Sequence, residues 1–255
     1  MAGSSHGQIP LPPTFHQANR CFMSRDRLSA PRPTLTRPSR ADDDRSVEMR
    51  PVLRIVRALS VVLVLAAIVA QAKALADANA FNATRYFAYF TIQSNLVGVA
   101  AFAWLVARPD APRTRSVELL RAGGAVYLTV TFFVVIALLS NVDVGLQLVW
   151  VDVVLHKIFP VIVVLDWLLD PPQRRLVTRD IATLIVYPLI WTGLTMVRGA
   201  LDGWYPYPFL NPANGGYGLV LITAVAITFG FVAISAAIIW LGNARRGPLT
   251  EPAPA

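Results

Sequence analysis

The chain has 255 residues, of which 55% are hydrophobic and only 15% charged, and its mean hydropathy is +0.52. An ordinary soluble domain carries about 25% charged residues, so neither one large soluble domain nor two small ones fits this composition. The net charge of +8 is no nucleic-acid footprint, because the charges fall in clumps between long apolar runs, and the single cysteine, Cys21, excludes a disulfide framework and a cysteine-based zinc cluster.

Residues 1–50 differ from the rest. They hold Pro10, Pro12, Pro13, Pro31, Pro33 and Pro38, with eight arginines against five acids and few large apolar side chains. The composition predicts a disordered cytoplasmic tail without the apolar core of a secretory signal. Met23 and Met49 are alternative starts, and the tail is assigned no function. Six apolar segments follow, at about 52–76, 86–107, 122–140, 146–169, 181–197 and 216–242. Each approaches the roughly 20 residues that a helix needs to cross a bilayer, and none alternates as a transmembrane strand does. The expected fold is all-α integral membrane, with a six-helix transmembrane domain over 51–243 and a short cytoplasmic tail over 244–255.

The loops set the orientation. Arg50, Arg54 and Arg57 flank the first span. Arg108, Arg113, Arg115 and Arg121 fill the second loop, and Arg174, Arg175 and Arg179 the fourth. Arg245 and Arg246 follow the last span, whereas the other face has only Lys73, Arg85 and Arg198. The positive-inside rule places both termini in the cytoplasm. The outer loop between spans three and four is short, about 141–145. The one between spans five and six, residues 199–216, is rich in proline and aromatics (Trp204, Tyr205, Tyr207, Phe209). It reads first as an interfacial aromatic belt and second as a lid over an outward-facing site. No internal repeat supports an inverted-repeat transporter.

Polar groups within a span are costly and mark candidate sites. The second span carries Thr91, Gln93, Ser94 and Asn95; the fourth carries Asp152, His156, Lys157 and Asp166. Asp166, near the inner end, is expected to be solvated. His156 lies about 15 Å into its helix, at 1.5 Å per residue. Asp152 is one turn earlier on the same face, where its carboxylate orients the imidazole or else faces water. Lys157 is expected on a different face, since adjacent helical residues diverge by about 100°. Thr91 and His156 enter from the same side, so a hydroxyl and an imidazole meet if their helices pack. The bland alternative is that these groups bond only to neighbouring helices. As a nucleophile, Thr91 needs a base, His156, and oxyanion donors, for which Gln93, Ser94 and Asn95 are the candidates. A membrane-embedded pair implies a lipid or lipid-like ester substrate. No GxGxxG, Walker, HExxH, GxSxG or CxxC motif is present. With His6, His16 and His156 the only histidines, no cofactor or metal is expected. The competing reading is a non-catalytic membrane protein, either a small transporter or a lipid- or partner-binding scaffold.

YFTIQSNL in the second span, HKIFP (156–160) in the fourth, YPLIW (187–191), and RG followed by GWYPYPFLNP (198–212) together resemble a bacterial six-helix membrane family. That family is related to the eukaryotic androgen-induced protein and its androgen-dependent relative. The resemblance covers about 53–242. It implies a membrane-embedded threonine hydrolase of fatty-acyl esters, located in the bacterial plasma membrane, with Thr91 and His156 as its catalytic pair. Pro160 follows the histidine, and Tyr207, Pro208 and Phe209 match the last outer loop. The substrate of the eukaryotic members does not transfer with the resemblance.

Overall fold

A computed structural model describes residues 3, 40–139 and 148–246; the tail's Cys21, His6 and His16, the loop expected at 141–145 and residues 247–255 lie outside these. The chain divides into two units, Met1–Arg45 and Ser46–Ala255. Every regular element among the described residues is helical. Helix α1 spans Arg40–Asp77, starting within the stretch read as a tail, and a single turn, α2, covers Ala83–Tyr86. Then come α3 (Phe90–Ala107) and α4 (Arg115–Val134), the latter extended by a π-helical turn, Val135–Leu139. The region of the fourth expected span comprises α5 (Val149–Val153), a π-helical segment (Val154–Ile158) and α6 (Phe159–Leu169). Helices α7 (Arg179–Asp202) and α8 (Gly216–Ala244) complete the chain.

Five helical stretches are long and apolar enough to cross a membrane: Met49–Asp77, Phe90–Ala107, Arg115–Leu139, Arg179–Asp202 and Gly216–Ala244. They identify a membrane protein. Their outer surfaces expose Val62, Leu194, Ile222 and Phe229, as helices facing hydrocarbon do.

Helix α4 is the hub, packed on α3, α6, α7 and α8. Its contact with α3 is close because both helices offer glycine at the crossing. A Cβ at Gly124 would lie 3.2 Å from the Cα of Gly98, and one at Gly98 would lie 2.8 Å from the Phe159 ring. In lipid, packing and interhelical hydrogen bonds hold helices together, so small residues at a crossing substitute for the missing hydrophobic drive. The core beside it is aromatic: Phe90 meets Tyr127, Trp191 and Phe231 edge to face. Helix α1 is peripheral, contributing Val64, Ala67 and Ile68 to the core and accepting a bond from Tyr86 Oη at the Ile68 carbonyl (2.7 Å).

The charges at one end of the bundle correct an expectation. Asp166 is buried, at 5% exposure, rather than solvated. Its two oxygens meet Arg57 Nε at 2.6 Å and Arg121 Nη2 at 3.3 Å. Arg121 also reaches Glu118 at 3.0 Å, and Arg113 reaches Asp170 at 2.6 Å. An unpaired carboxylate at that depth would cost several kcal/mol, so the arginines that the positive-inside rule uses for orientation also neutralise it. Asp170 sits just beyond α6. Burial raises its carboxyl, but Arg121, Arg113 and Arg57 outweigh that and hold it below its usual range.

Candidate active site

The site begins with Pro160. In an α-helix the Leu155 carbonyl accepts from the N–H of residue 159, and in a π-turn from residue 160. Here Phe159 N–H bonds instead to the Val154 carbonyl, and proline has no N–H to offer. The Leu155 carbonyl is thereby freed inside the helical bundle, and Asn95 Nδ2 of α3 bonds to it at 3.2 Å. The π segment is thus pinned to α3 at the height of Thr91.

The wider π turn also explains Lys157. His156 Nδ1 lies 2.8 Å from Asp152 Oδ1, and Lys157 Nζ donates to Asp152 Oδ2 at 3.2 Å. An α-helix would send adjacent side chains about 100° apart. His156 is buried and Lys157 exposed, on separate faces, yet in the π segment both side chains reach one carboxylate. Asp152 is half-buried and Lys157 is exposed at the rim.

Thr91, one residue into α3, completes the line. His156 Nε2 is 3.2 Å from Thr91 Oγ1, and both side chains are buried. Tyr207, from the aromatic outer loop, accepts from Thr91 N–H at 3.3 Å and lies 3.3 Å from Thr91 Oγ1. Its phenol thereby caps one of the free N–H groups that begin every helix. Burial pushes the Tyr207 phenol up to about 12, against the opposing bonds from Thr91, so it keeps its proton throughout the working pH range. With Nδ1–H donated to Asp152, Nε2 is the acceptor for the threonine hydroxyl. The chain of bonds then runs Tyr207, Thr91, His156, Asp152.

The other sequence candidates sit differently. Ser94 Oγ donates to the Thr91 carbonyl at 3.0 Å, and Asn95 Nδ2 donates to that carbonyl at 2.8 Å as well as to Leu155. Gln93 Nε2 donates to the Phe87 carbonyl at 2.7 Å, while its oxygen accepts from Tyr187 of α7. The side-chain donors of all three are engaged within the protein. They fix the backbone of Thr91 and the packing of α7, and the structure does not direct them at an acyl oxygen beside Thr91. Among the described residues, no three of His, Cys, Asp and Glu come together as a metal group.

Two spaces border Thr91. One is a cavity of about 630 Å³, walled by α1, α3, the π segment and the aromatic loop, with His156, Asp152 and Lys157 in its lining. The other is a crevice of about 60 Å³ between α4, α7 and α8. Thr91 and Tyr207 line both.

Two residues of the site were not singled out for it in the sequence. Tyr207 lies 116 residues from Thr91, and the sequence marks it only as one aromatic of the outer loop and of the matched YPF, without a partner in α3. Gln71 is a lone amide in the long apolar run of α1. It is 2% exposed and lines the larger cavity, yet neither its Nε2 nor its Oε1 has a hydrogen-bond partner. Compared with family models, curated proteins and solved structures, the chain gives no match.

Proposed function

We propose that this protein is a membrane-embedded hydrolase of lipid esters that uses Thr91 as nucleophile and His156 as base. The observation that carries this reading is the continuous line from Thr91 Oγ1 through His156 to Asp152 beside a cavity of about 630 Å³. A hydroxyl is a weak nucleophile until a base takes its proton, and the base works best when a third group orients it. Buried hydroxyls that merely stabilise a helix bond to the preceding turn; Thr91 faces an imidazole instead.

The chemistry balances as follows. Thr91 Oγ1 attacks the ester carbonyl and His156 Nε2 takes its proton. The carbonyl oxygen becomes an oxyanion, to which the Tyr207 hydroxyl can donate. When the tetrahedral adduct collapses, the bond to the alcohol oxygen breaks and His156 gives its proton to that oxygen. Water then attacks the acyl-threonine, again losing a proton to Nε2, and the acid leaves as Thr91 recovers its hydrogen. Asp152 stays ionised and stabilises the imidazolium in each half-reaction.

In this reading the α5–π–α6 run is the sixth crossing, both termini face the cytoplasm and the cavity opens outward in a plasma membrane. The resemblance of YFTIQSNL, HKIFP and GWYPYPFLNP to the androgen-induced protein family points the same way. The test is hydrolysis of fatty-acyl esters by purified protein in vesicles, with Thr91→Ala and His156→Ala alongside. An acyl-chain fluorophosphonate that labels Thr91 supports the reading, and full turnover by either variant removes the assigned role.

A further inference from the structure

Thr91 stands on the boundary between two spaces of different character, and an ester has two arms. We infer that the acyl chain of the substrate enters the crevice between α4, α7 and α8, while the alcohol portion occupies the larger cavity, where Gln71 recognises its oxygen functions. The inference rests on the hydrolase reading and assigns that site's two subsites.

The crevice is narrow and mostly apolar, although Thr131, Thr192 and Thr228 also line it. Val130, Ile185, Ala224, Ile227 and Phe231 line it, and at about 60 Å³ it has room for only about five water-sized groups, taking some 12 Å³ for each. An unbranched methylene chain suits so small a space, and a polyol finds few free donors there, because Thr192 and Thr228 donate to carbonyls of their own helices and Thr131 pairs with Ser94. Leu189 of α7 stands in its wall at 51% exposure, on a helix whose surface faces lipid. The crevice therefore opens sideways into the bilayer, from which a chain can enter without crossing water.

The cavity on the other side of Thr91 is about ten times roomier and more polar, although apolar side chains still make up most of its wall. Asn82, Arg85, Asp152 and Lys157 contribute to its wall. Gln71 supplies the decisive observation. Leaving a buried amide without a partner is costly, and helix α1 could hold a leucine there at no such cost. An amide offers one donor and one acceptor group, which matches the hydroxyls of an alcohol moiety such as glycerol. With the acyl carbonyl at Thr91, the two arms leave it in opposite directions, and on the α1 side Gln71, with both amide atoms unpartnered, is placed to receive the alcohol.

The test uses full-length Thr91→Ala protein in phosphatidylcholine vesicles, which binds without turning over. Two photoreactive monoacylglycerols are compared, one with a diazirine on the acyl chain and one with it on the glycerol. The acyl probe is expected to mark Ile185, Ala224 and Phe231 in preference to the lipid-facing Leu194 and Ile222. The glycerol probe is expected to mark α1 around Gln71 and the π segment. Reversed labelling, labelling of one space by both probes, or labels confined to lipid-facing positions each overturn the assignment. In the active protein, Ala224→Phe is expected to lower the ratio of long- to short-acyl turnover by about tenfold or more. Gln71→Leu is expected to raise KM for glycerol esters about tenfold over simple alkyl esters. Unchanged ratios in both variants also overturn it. Absence of turnover by the unmodified protein, with the labelling as described, would count against the hydrolase reading and leave the two binding spaces standing.

Discussion

The α5–π–α6 run carries two clusters of ionisable groups, one near each end, about 15 Å apart along the helix. They contain similar side chains and differ in what surrounds them. Around Asp166 and Asp170, Arg57, Arg113 and Arg121 close in from α1, the α3–α4 loop and α4, with Glu118 among them. Each carboxylate faces at least one guanidinium, so the cluster consumes its own charge. Around His156 there is one ordered line of bonds, and beyond it lies open space with an unpartnered amide in the wall. Burial and charge alone therefore do not mark a site in a membrane bundle. What separates the two ends is whether unpartnered polar atoms border open space: Arg113 Nη1 lacks a hydrogen bond but sits among carboxylates, whereas both amide atoms of Gln71 line a cavity.

The sharpest way to break this contrast is to remove the line itself. Thr91→Ala or His156→Ala is expected to lower ester turnover by about 10³-fold with little change in thermal unfolding, measured on the same vesicle preparations. The opposite cluster should respond the other way. Arg121→Met leaves Glu118 and Asp166 short of a cation, and a loss of about 3–5 kcal/mol in stability is expected, read by unfolding in mixed micelles. Whatever fraction stays folded should keep its turnover per molecule; a specific loss of turnover in folded protein would show that the clusters are coupled. Asp152→Asn comes next. It keeps the shape but offers the imidazole an amide, and turnover is expected to fall by about 10²-fold.

Tyr207→Phe is expected to lower kcat by about 10²-fold, because it removes one donor and leaves the pair intact. The same phenol gives a pH signature. Its pKa is raised from 10.0 to about 12 by burial, so its contribution to stability is complete below pH 10 and is lost as pH rises toward 12. Tyr86 and Tyr127 are buried as well, so the informative quantity is the difference between the unmodified protein and Tyr207→Phe across that window. A difference that does not change between pH 9 and 12 would place Tyr207 in water.

How far the sequence reveals these two regions depends on the interactions involved. Apolar length is a local property, so the five long apolar helices can be read from residue order, and so can the i, i+4 relation of Asp152 to His156. The meeting of Thr91 with His156 requires two helices to pack, which the side of entry made foreseeable. Three features were hidden. Asp166 lies next to a loop and looks wet in sequence, and only the folded positions of Arg57 and Arg121 bury it. The π turn depends on a proline four residues after His156 acting together with an asparagine on another helix. Gln71 sits in an apolar run where one amide resembles tolerated noise, and its meaning comes from having no partner in three dimensions.

The π segment has one more consequence. It contains one residue more than an α-helical path between Asp152 and Pro160 would need. Deleting a single residue there, such as Val153, would let the backbone return to regular winding and turn everything before it by about 100° relative to α6. The crossing would survive by length and hydropathy, but carboxylate, imidazole and threonine would no longer line up. The proposed chemistry thus hangs on a helix that is out of phase by one position, and a relative lacking that extra position would keep the architecture without the aligned side chains.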